Sequence, residues 1–374
     1  MQTEKVDMIN RYRLRNYDFK LIIFICALSV IGIFAIGSAK ASKQNTQVYG
    51  FILGLMLMIT ISLIDYHLIL KLYWLIYALN LVLLGMVAVM GDKGGGAQRW
   101  LQLGPLRFQP SETAKICMIL FYAAFIMKHK EQMKTFKYFI ISIILLLPMV
   151  KLVHDQPDLS TSILLVAVFF VLIFIGGINK KTVIALFSIA IPTIIIMFTL
   201  IMQPDQNIIE DYQKNRIMAF INPSEYATTD AYQQINSVMA IGSGQLTGKG
   251  YKNNEISSVK NGNFISEPQT DFIFAVIGEE SGFVGSCTVI VLLILTSFEC
   301  IIVARKACDM AGTIIASGMA ALIAFQGFMN IAVATQVMIN TGLPLPFVSY
   351  GLTSLCSLFI GMGFVLNVRL QART

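Results

Sequence analysis

The chain has 374 residues and a formal net charge of +7, with 56% hydrophobic and 13% charged residues, whereas a soluble globular protein carries roughly a quarter charged residues. So few polar side chains cannot cover a soluble surface, and the Lys and Arg residues sit in short loops between apolar runs, not on the continuous basic face that nucleic acid requires. Length alone suits two or three soluble domains, but the apolar segments follow one another too closely, so a single membrane domain over residues 1–374 is the simpler organisation.

A bilayer core about 30 Å thick needs about 20 apolar residues in a helix. Ten stretches qualify: residues 18–39, 46–64, 68–90, 111–127, 137–153, 159–177, 182–202, 271–304, 311–339 and 349–368. The expected fold is therefore all-α, a polytopic membrane protein of about ten transmembrane helices. The first stretch follows a basic segment, residues 1–17, and ends in Ser38-Ala39-Lys40-Ala41, which invites comparison with a cleaved signal peptide; its apolar run is too long for one. The six cysteines, Cys26, Cys117, Cys287, Cys300, Cys308 and Cys356, show no zinc or redox spacing and read as packing residues.

With the N-terminus inside, the inner segments hold 16 Lys and Arg and the outer segments 12. Five of the outer ones fall in a long loop, residues 203–267, where loop charge no longer sets orientation, which leaves 16 against 7. Both termini are thus expected in the cytoplasm, with residues 1–17 as a cytoplasmic segment and the long loop between helices 7 and 8 outside. Segments such as Tyr232 to Ile241 predict short amphipathic helices in that loop, packed on the membrane surface. No internal repeat of the kind many transporters carry is evident.

Ionisable residues at membrane depth mark functional positions unless they pair. Glu112 and Lys115 begin the fourth span, three apart and so on one helix face; Asp158 begins the sixth, and Asp271, Glu279 and Glu280 lie early in the eighth. Each has a plainer reading: Glu112 and Lys115 neutralise each other, Asp271 caps a helix after Pro268 and Thr270, and Glu279 and Glu280 flank a break between Gly278 and Gly282. Glu299 snorkels beside Arg305. His154, Asp155 and Asp158 are too loosely spaced to define a metal site. The segment GQLTGKG fails as a phosphate loop, because the second glycine is out of register and no hydroxyl residue follows Lys249.

Five stretches share the outer face: GAQRWLQLG at 96–104 leading into RFQPSETAK at 107–115, QPDLSTS at 156–162, YQQINSVMAIGSGQLTGKG at 232–250, EPQTDFIFAVIGEESGFVG at 267–285, and TGLPLPFVSYG at 341–351. In this order the chain resembles the SEDS family (shape, elongation, division, sporulation) of RodA and FtsW, with GKG at 248–250 and short termini closer to RodA. The resemblance implies a peptidoglycan glycosyltransferase of the bacterial cytoplasmic membrane that polymerises lipid II, the undecaprenyl-pyrophosphate-linked disaccharide-peptide, into β-1,4 glycan on the extracytoplasmic side. It implies Asp271, in TDFIF, as the catalytic general base, and Arg99, Trp100, Arg107, Glu112, Lys115 and Asp158 as lining the substrate cavity. It further implies Tyr232, Gln233, Ser237, Lys249, Glu267, Gln269, Ser349 and Tyr350 around sugar, peptide or cavity mouth. Thr353, Ser357 and Gly361 recur every four residues and suit close helix packing.

No cofactor is required by this reading, although Mg²⁺ between carboxylate and pyrophosphate fits its usual ligands. The implied partner is a class B penicillin-binding protein, a transpeptidase. Two departures from the family pattern stand out, Leu352 after Gly351 and the sequence Ile265-Ser266-Glu267-Pro268-Gln269 before the aspartate. A lipid II flippase and a non-catalytic scaffold are the competing readings; the near absence of polar groups in the inner halves of the spans opposes the first.

Overall fold

The structure, a computed structural model, describes residues 16–94, 97–104, 106–201, 211–229, 231–252 and 264–372. Residues 1–15 of the expected N-terminal segment, and 203–210, 230 and 253–263 of the long loop, lie outside the described residues. In chain order the helices are α1 Phe19–Ala39, α2 Ala41–Leu63, α3 Tyr66–Leu70, α4 Tyr73–Met90, α5 Pro110–Lys128, α6 Phe136–His154, α7 Leu159–Ile175, α8 Lys180–Ile201, α9 Asp211–Ile221, α10 Tyr232–Ser243, α11 Ile273–Lys306, α12 Met310–Ala334 and α13 Leu352–Leu370. Among the described residues eight of these, α1, α2, α4, α5, α6, α11, α12 and α13, are long and apolar enough to cross a membrane. The shorter α7 and the Pro192-containing α8 occupy the sixth and seventh expected spans.

The bundle has a clear centre. Along their apolar windows α5, α13 and α12 are 83%, 72% and 67% buried, whereas α2, α4 and α6 are 28% buried. The outer helices turn Leu53, Met56, Ile59, Leu75, Leu79 and Val82 outward, as a lipid-facing surface requires. Close approach relies on small residues: a Cβ on Gly54 of α2 would meet the Phe359 ring of α13 at 2.5 Å, and one on Gly361 would meet Met319 of α12 at 2.4 Å. All six cysteines are free.

Between α4 and α5 the chain forms an antiparallel three-stranded sheet, β1 Asp92–Gly94, β2 Ala97–Leu103 and β3 Leu106–Phe108, in spatial order β1-β2-β3. Its short glycine-flanked strands carry no long alternation, so an all-helical reading passes over it. Gly104, at φ +65°, makes the turn into β3.

A second local feature is the break in α11 at Gly282, where φ is +63° and ψ −156°. Residues 245–250 dock there and take up the backbone groups that the break frees. Phe283 N donates to Gln245 O (2.8 Å), Lys249 N to Glu279 O (2.9 Å) and Gly250 N to Glu280 O (3.0 Å). The buried Glu279 pairs with Lys249 at 3.2 Å, and the Ser38 hydroxyl of α1 donates to Glu280. The GQLTGKG segment is thus a clamp on a helix break, which is why its glycines lack phosphate-loop register.

Candidate active site

Loops from one end of the bundle, those after α4, α6, α8 and α12, converge on a cavity of about 500 Å³. Of the site residues read from the sequence, Arg99, Trp100, Glu112, Asp158, Gln233, Glu267, Asp271 and Tyr350 line it. Asp271 lies in the turn ahead of α11; the helix is capped at Phe272 with no side-chain bond, so the Asp271 carboxylate is not spent on capping. Burial pushes its carboxyl up to about 6; Arg99 and Arg216 oppose the rise while Asp158 and Glu267 add to it. A carboxylate so poised accepts a proton near neutral pH and can release it again.

The backbone around Asp271 is fixed by side chains. Asn330, in the buried face of α12, donates from Nδ2 both to Asp271 O (2.8 Å) and to Leu343 O (2.7 Å). Ser349 donates to Thr270 O (2.7 Å) and accepts from Leu345 N (2.7 Å), while Tyr350 N donates to Gln269 O (2.9 Å). Gln326 Nε2 reaches Pro344 O at 2.8 Å, and the Ser160 hydroxyl donates to Thr341 O. The 340–350 segment and the aspartate turn are therefore one rigid unit, which is what a reacting group held to fractions of an ångström demands.

Two guanidinium groups face this carboxylate. Arg99, on β2, is braced by Nε donation to Gln156 O at 3.1 Å and by Nη2 donation to Pro157 O. Arg216, on α9, donates from Nη1 to Asn340 O at 3.2 Å and also lines the cavity. These backbone bonds hold both guanidinium groups at the cavity, as part of a cationic lining that a polyanion would meet.

Several expected site residues are engaged in holding the fold, each for a definable reason. Lys115 is 1% exposed and sits behind the cavity wall, donating to Glu112 Oε2 (2.8 Å) and Gln326 Oε1 (2.9 Å); its ammonium braces Glu112 and does not reach a substrate phosphate. Arg107 points outward from β3 and pairs with Asp92 at 3.4 Å. Ser237 is buried, donating to Ala334 O at 2.7 Å, and so docks α10 onto the end of α12. Lys249 belongs to the clamp on α11, and Tyr232 is exposed at the start of α10. Asp158 lines the cavity, but both oxygens cap α7 through Thr161 N (3.1 Å) and Thr161 Oγ1 (2.9 Å).

Ser349 acts on the backbone unit just described, and Gln269 lines a separate, neighbouring cavity. Thr353 lines the main cavity and donates to Arg107 O at 3.3 Å, so it joins β3 to α13 in addition to packing. Sequence reasoning passes over Arg216, Asn330 and Gln326. Two amides four residues apart inside the apolar α12 are a usable signal for the last pair, because a buried amide needs partners.

Among the described residues no three His, Cys, Asp or Glu side chains are grouped so as to hold a metal. A divalent ion at the cavity would therefore take one or two of its carboxylates and complete its shell with substrate oxygens, the arrangement usual for Mg²⁺.

Fold and cavity together define a class: a polytopic membrane protein whose helical bundle opens at one end on a carboxylate flanked by two arginines. The chain belongs to the FtsW, RodA and SpoVE family of cell cycle proteins, whose profile matches residues 14–374.

Among curated relatives it is 32% identical over 357 residues to the peptidoglycan glycosyltransferase MrdB of Escherichia coli K12, covering 94% of this chain and 93% of that one. It is 29% identical over 372 residues to the probable peptidoglycan glycosyltransferase FtsW of Aliivibrio salmonicida, covering 96% and 90%. A chain from a solved peptidoglycan synthase complex superposes with a TM-score of 0.76 at 28% identity, over 94% of this chain and 97% of that one. The crystal structure of the rod shape determining protein RodA of Thermus thermophilus gives 0.67 at 27% identity, over 94% and 96%.

Proposed function

We infer that the chain is a peptidoglycan glycosyltransferase that polymerises lipid II into β-1,4 glycan on the extracytoplasmic face of the cytoplasmic membrane, with Asp271 as general base. The observation that carries this reading is the Asp271 carboxylate, mounted on a rigid turn and faced across the cavity by Arg99 and Arg216. Membership of the family and the names of the relatives support the activity; the excess of Lys and Arg at the opposite end of the bundle supports the orientation.

In the reaction the acceptor hydroxyl gives its proton to Asp271, and its oxygen attacks the anomeric carbon of the donor. The bond from that carbon to the pyrophosphate breaks and its electron pair leaves with the phosphate, so a single displacement inverts the anomeric centre. Arg99 and Arg216 stabilise the charge that develops on the leaving group. Glu112, held by Lys115, fixes the cavity wall; the rigid 340–350 segment holds Asp271 in line.

A class B penicillin-binding protein, a transpeptidase, is the proposed partner that cross-links the product; the relationship to a chain from a peptidoglycan synthase complex supports an assembly of this kind. A flippase reading is disfavoured, since the cavity ends on the packed Glu112, Lys115, Gln326 and Asn330 layer. Purified protein given lipid II and analysed by gel electrophoresis is expected to yield a glycan ladder, lost in Asp271→Asn. A wild-type protein that makes no polymer, alone or with a transpeptidase, overturns the assignment.

A further inference from the structure

The Asp271 side chain takes its position from its backbone, and that backbone is held at three successive carbonyls. Tyr350 N donates to Gln269 O (2.9 Å), the Ser349 hydroxyl to Thr270 O (2.7 Å) and Asn330 Nδ2 to Asp271 O (2.8 Å). The first two donors belong to the 340–350 segment, itself a loop. The third stands on α12, so it is the one of the three that registers the turn against a membrane helix.

Asn330 Nδ2 has a second acceptor, Leu343 O at 2.7 Å. Leu343 follows Gly342, the residue that lies against the Asp271 carboxylate. A primary amide nitrogen carries two hydrogens, one for each carbonyl. One side chain thus spans the gap between the main chain of the base and the segment that its carboxylate touches. The amide cannot be turned over: with its oxygen and nitrogen exchanged, an acceptor would face two carbonyl oxygens. It holds this orientation even though Oδ1 is left buried with no donor among the described residues.

One turn earlier on the same face of α12, Gln326 repeats the device. Its Nε2 donates to Pro344 O at 2.8 Å, and its Oε1 accepts from the Lys115 ammonium at 2.9 Å. Two consecutive carbonyls beside the reacting carboxylate, those of Leu343 and Pro344, are therefore tied to one helix. Both amides are out of reach of a substrate: Asn330 is 1% and Gln326 0% exposed, and neither lines the cavity.

We propose that Asn330 is a positioning residue for glycosyl transfer, its amide setting the separation of Asp271 and Gly342 and through it the direction of the carboxylate, while Gln326 holds the same segment one turn away. The assignment rests on the glycosyltransferase reading above and extends it to a residue that touches no substrate. Without the Asn330 bonds the turn stays tied to the 340–350 segment through Ser349 and Tyr350. The site then still forms, but the base loses its fixed place relative to Arg99 and Arg216.

The test uses the full-length protein in detergent with lipid II as substrate, rates being taken per folded protein after gel filtration. Asn330→Leu, close in volume and without donors, is expected to lower kcat about 10–100-fold, the order that a small misplacement of a reacting group produces, while KM stays within about twofold. The midpoint of the pH–rate profile is expected to move as well, because the carboxylate no longer keeps its distances to Arg99, Asp158, Glu267 and Arg216. A merely structural role would reduce the yield of folded protein and leave the midpoint of the remainder where it was. Unchanged kcat in the folded variant, or a lowered kcat with the wild-type midpoint, overturns the proposal. If Asn330→Leu does not fold, Asn330→Ser, which keeps one donor in place of two, decides by the same two readouts. A wild-type protein that makes no polymer is a separate result, which removes the glycosyltransferase reading instead.

Discussion

Gly342 lies directly against the carboxylate of Asp271: a Cβ built on Gly342 would stand 3.1 Å from Asp271 Oδ2, and the glycine holds φ at +70°. The two facts act together. The left-handed backbone costs a residue with a side chain roughly 1–2 kcal/mol, and the added methyl would press on that carboxylate oxygen. Gly342→Ala is expected to fold and insert but to polymerise lipid II about 10–100-fold more slowly, since a small displacement of a reacting group has effects of that order. Parallel measurement of the initial polymerisation rate and the unfolding temperature checks this; an unchanged rate would show that the contact is not part of the reacting geometry.

The environment of Asp271 also sets a pH dependence. Burial raises its carboxyl to about 6, against an ordinary value of 3.8. A general base works in its deprotonated form, so activity is expected to rise with pH through about 6 and level off above it. Arg99→Gln removes an opposing charge, and the midpoint should then move upward. For stability the sign is opposite: the folded protein binds this proton more tightly than the unfolded chain, so the group's contribution falls as pH rises from about 4 to about 6. A pH–rate profile whose midpoint is unmoved in Arg99→Gln would remove the coupling between these two residues.

The buried Glu112 and Lys115 pair gives a prediction about stability. Its side chains are 3% and 2% exposed, and Gln326 completes the ammonium's shell. Truncating one partner strands a charge, at a cost of about 3–5 kcal/mol. Lys115→Met alone is expected to lower the unfolding temperature more than the double change Glu112→Gln with Lys115→Met, in which no ion is stranded. If the double variant is the less stable of the two, the pair is held by something other than mutual neutralisation.

The membrane helices were legible because bilayer thickness imposes a length and an apolar composition, both visible along the chain. Asp271, Arg99 and Glu112 were legible for a related reason, since ionisable side chains stand out against an apolar background and fall in motifs that resemble one family. Lys115 shows the limit. Its spacing from Glu112 reveals the pair, but only the neutral Gln326, 211 positions further on, turns the ammonium away from the cavity. Arg216 escaped notice within a long polar loop, where one more cation carries no contrast. Asn330 and Gln326 were missed because the meaning of an amide lies in its partners, which sequence does not display.

At the far end of the bundle His67 bridges two carboxylates, with Nδ1 2.7 Å from Asp65 Oδ1 and Nε2 2.8 Å from Asp309 Oδ2. Tyr66 donates its hydroxyl to Asp309 at 2.8 Å, and Gln371 donates to Asp65 at 3.0 Å, so the cluster ties α3 to the start of α12 and the end of α13. Hydrogen bonds to Asp309 and then Asp65 raise His67 to about 9. Burial alone would raise Asp65, but the bonds from His67 and Gln371 prevail and bring it down to about 2. The imidazolium's contribution is complete below its ordinary 6.5 and is lost as pH rises through about 9. That of Asp65 is complete above 3.8 and is lost as pH falls through about 2. His67→Gln is therefore expected to cost about 1–3 kcal/mol between pH 4 and 6.5, a penalty that shrinks near pH 9. Unfolding temperatures of both proteins across that range measure it, and a penalty independent of pH would mean that His67 acts through its shape and not its charge.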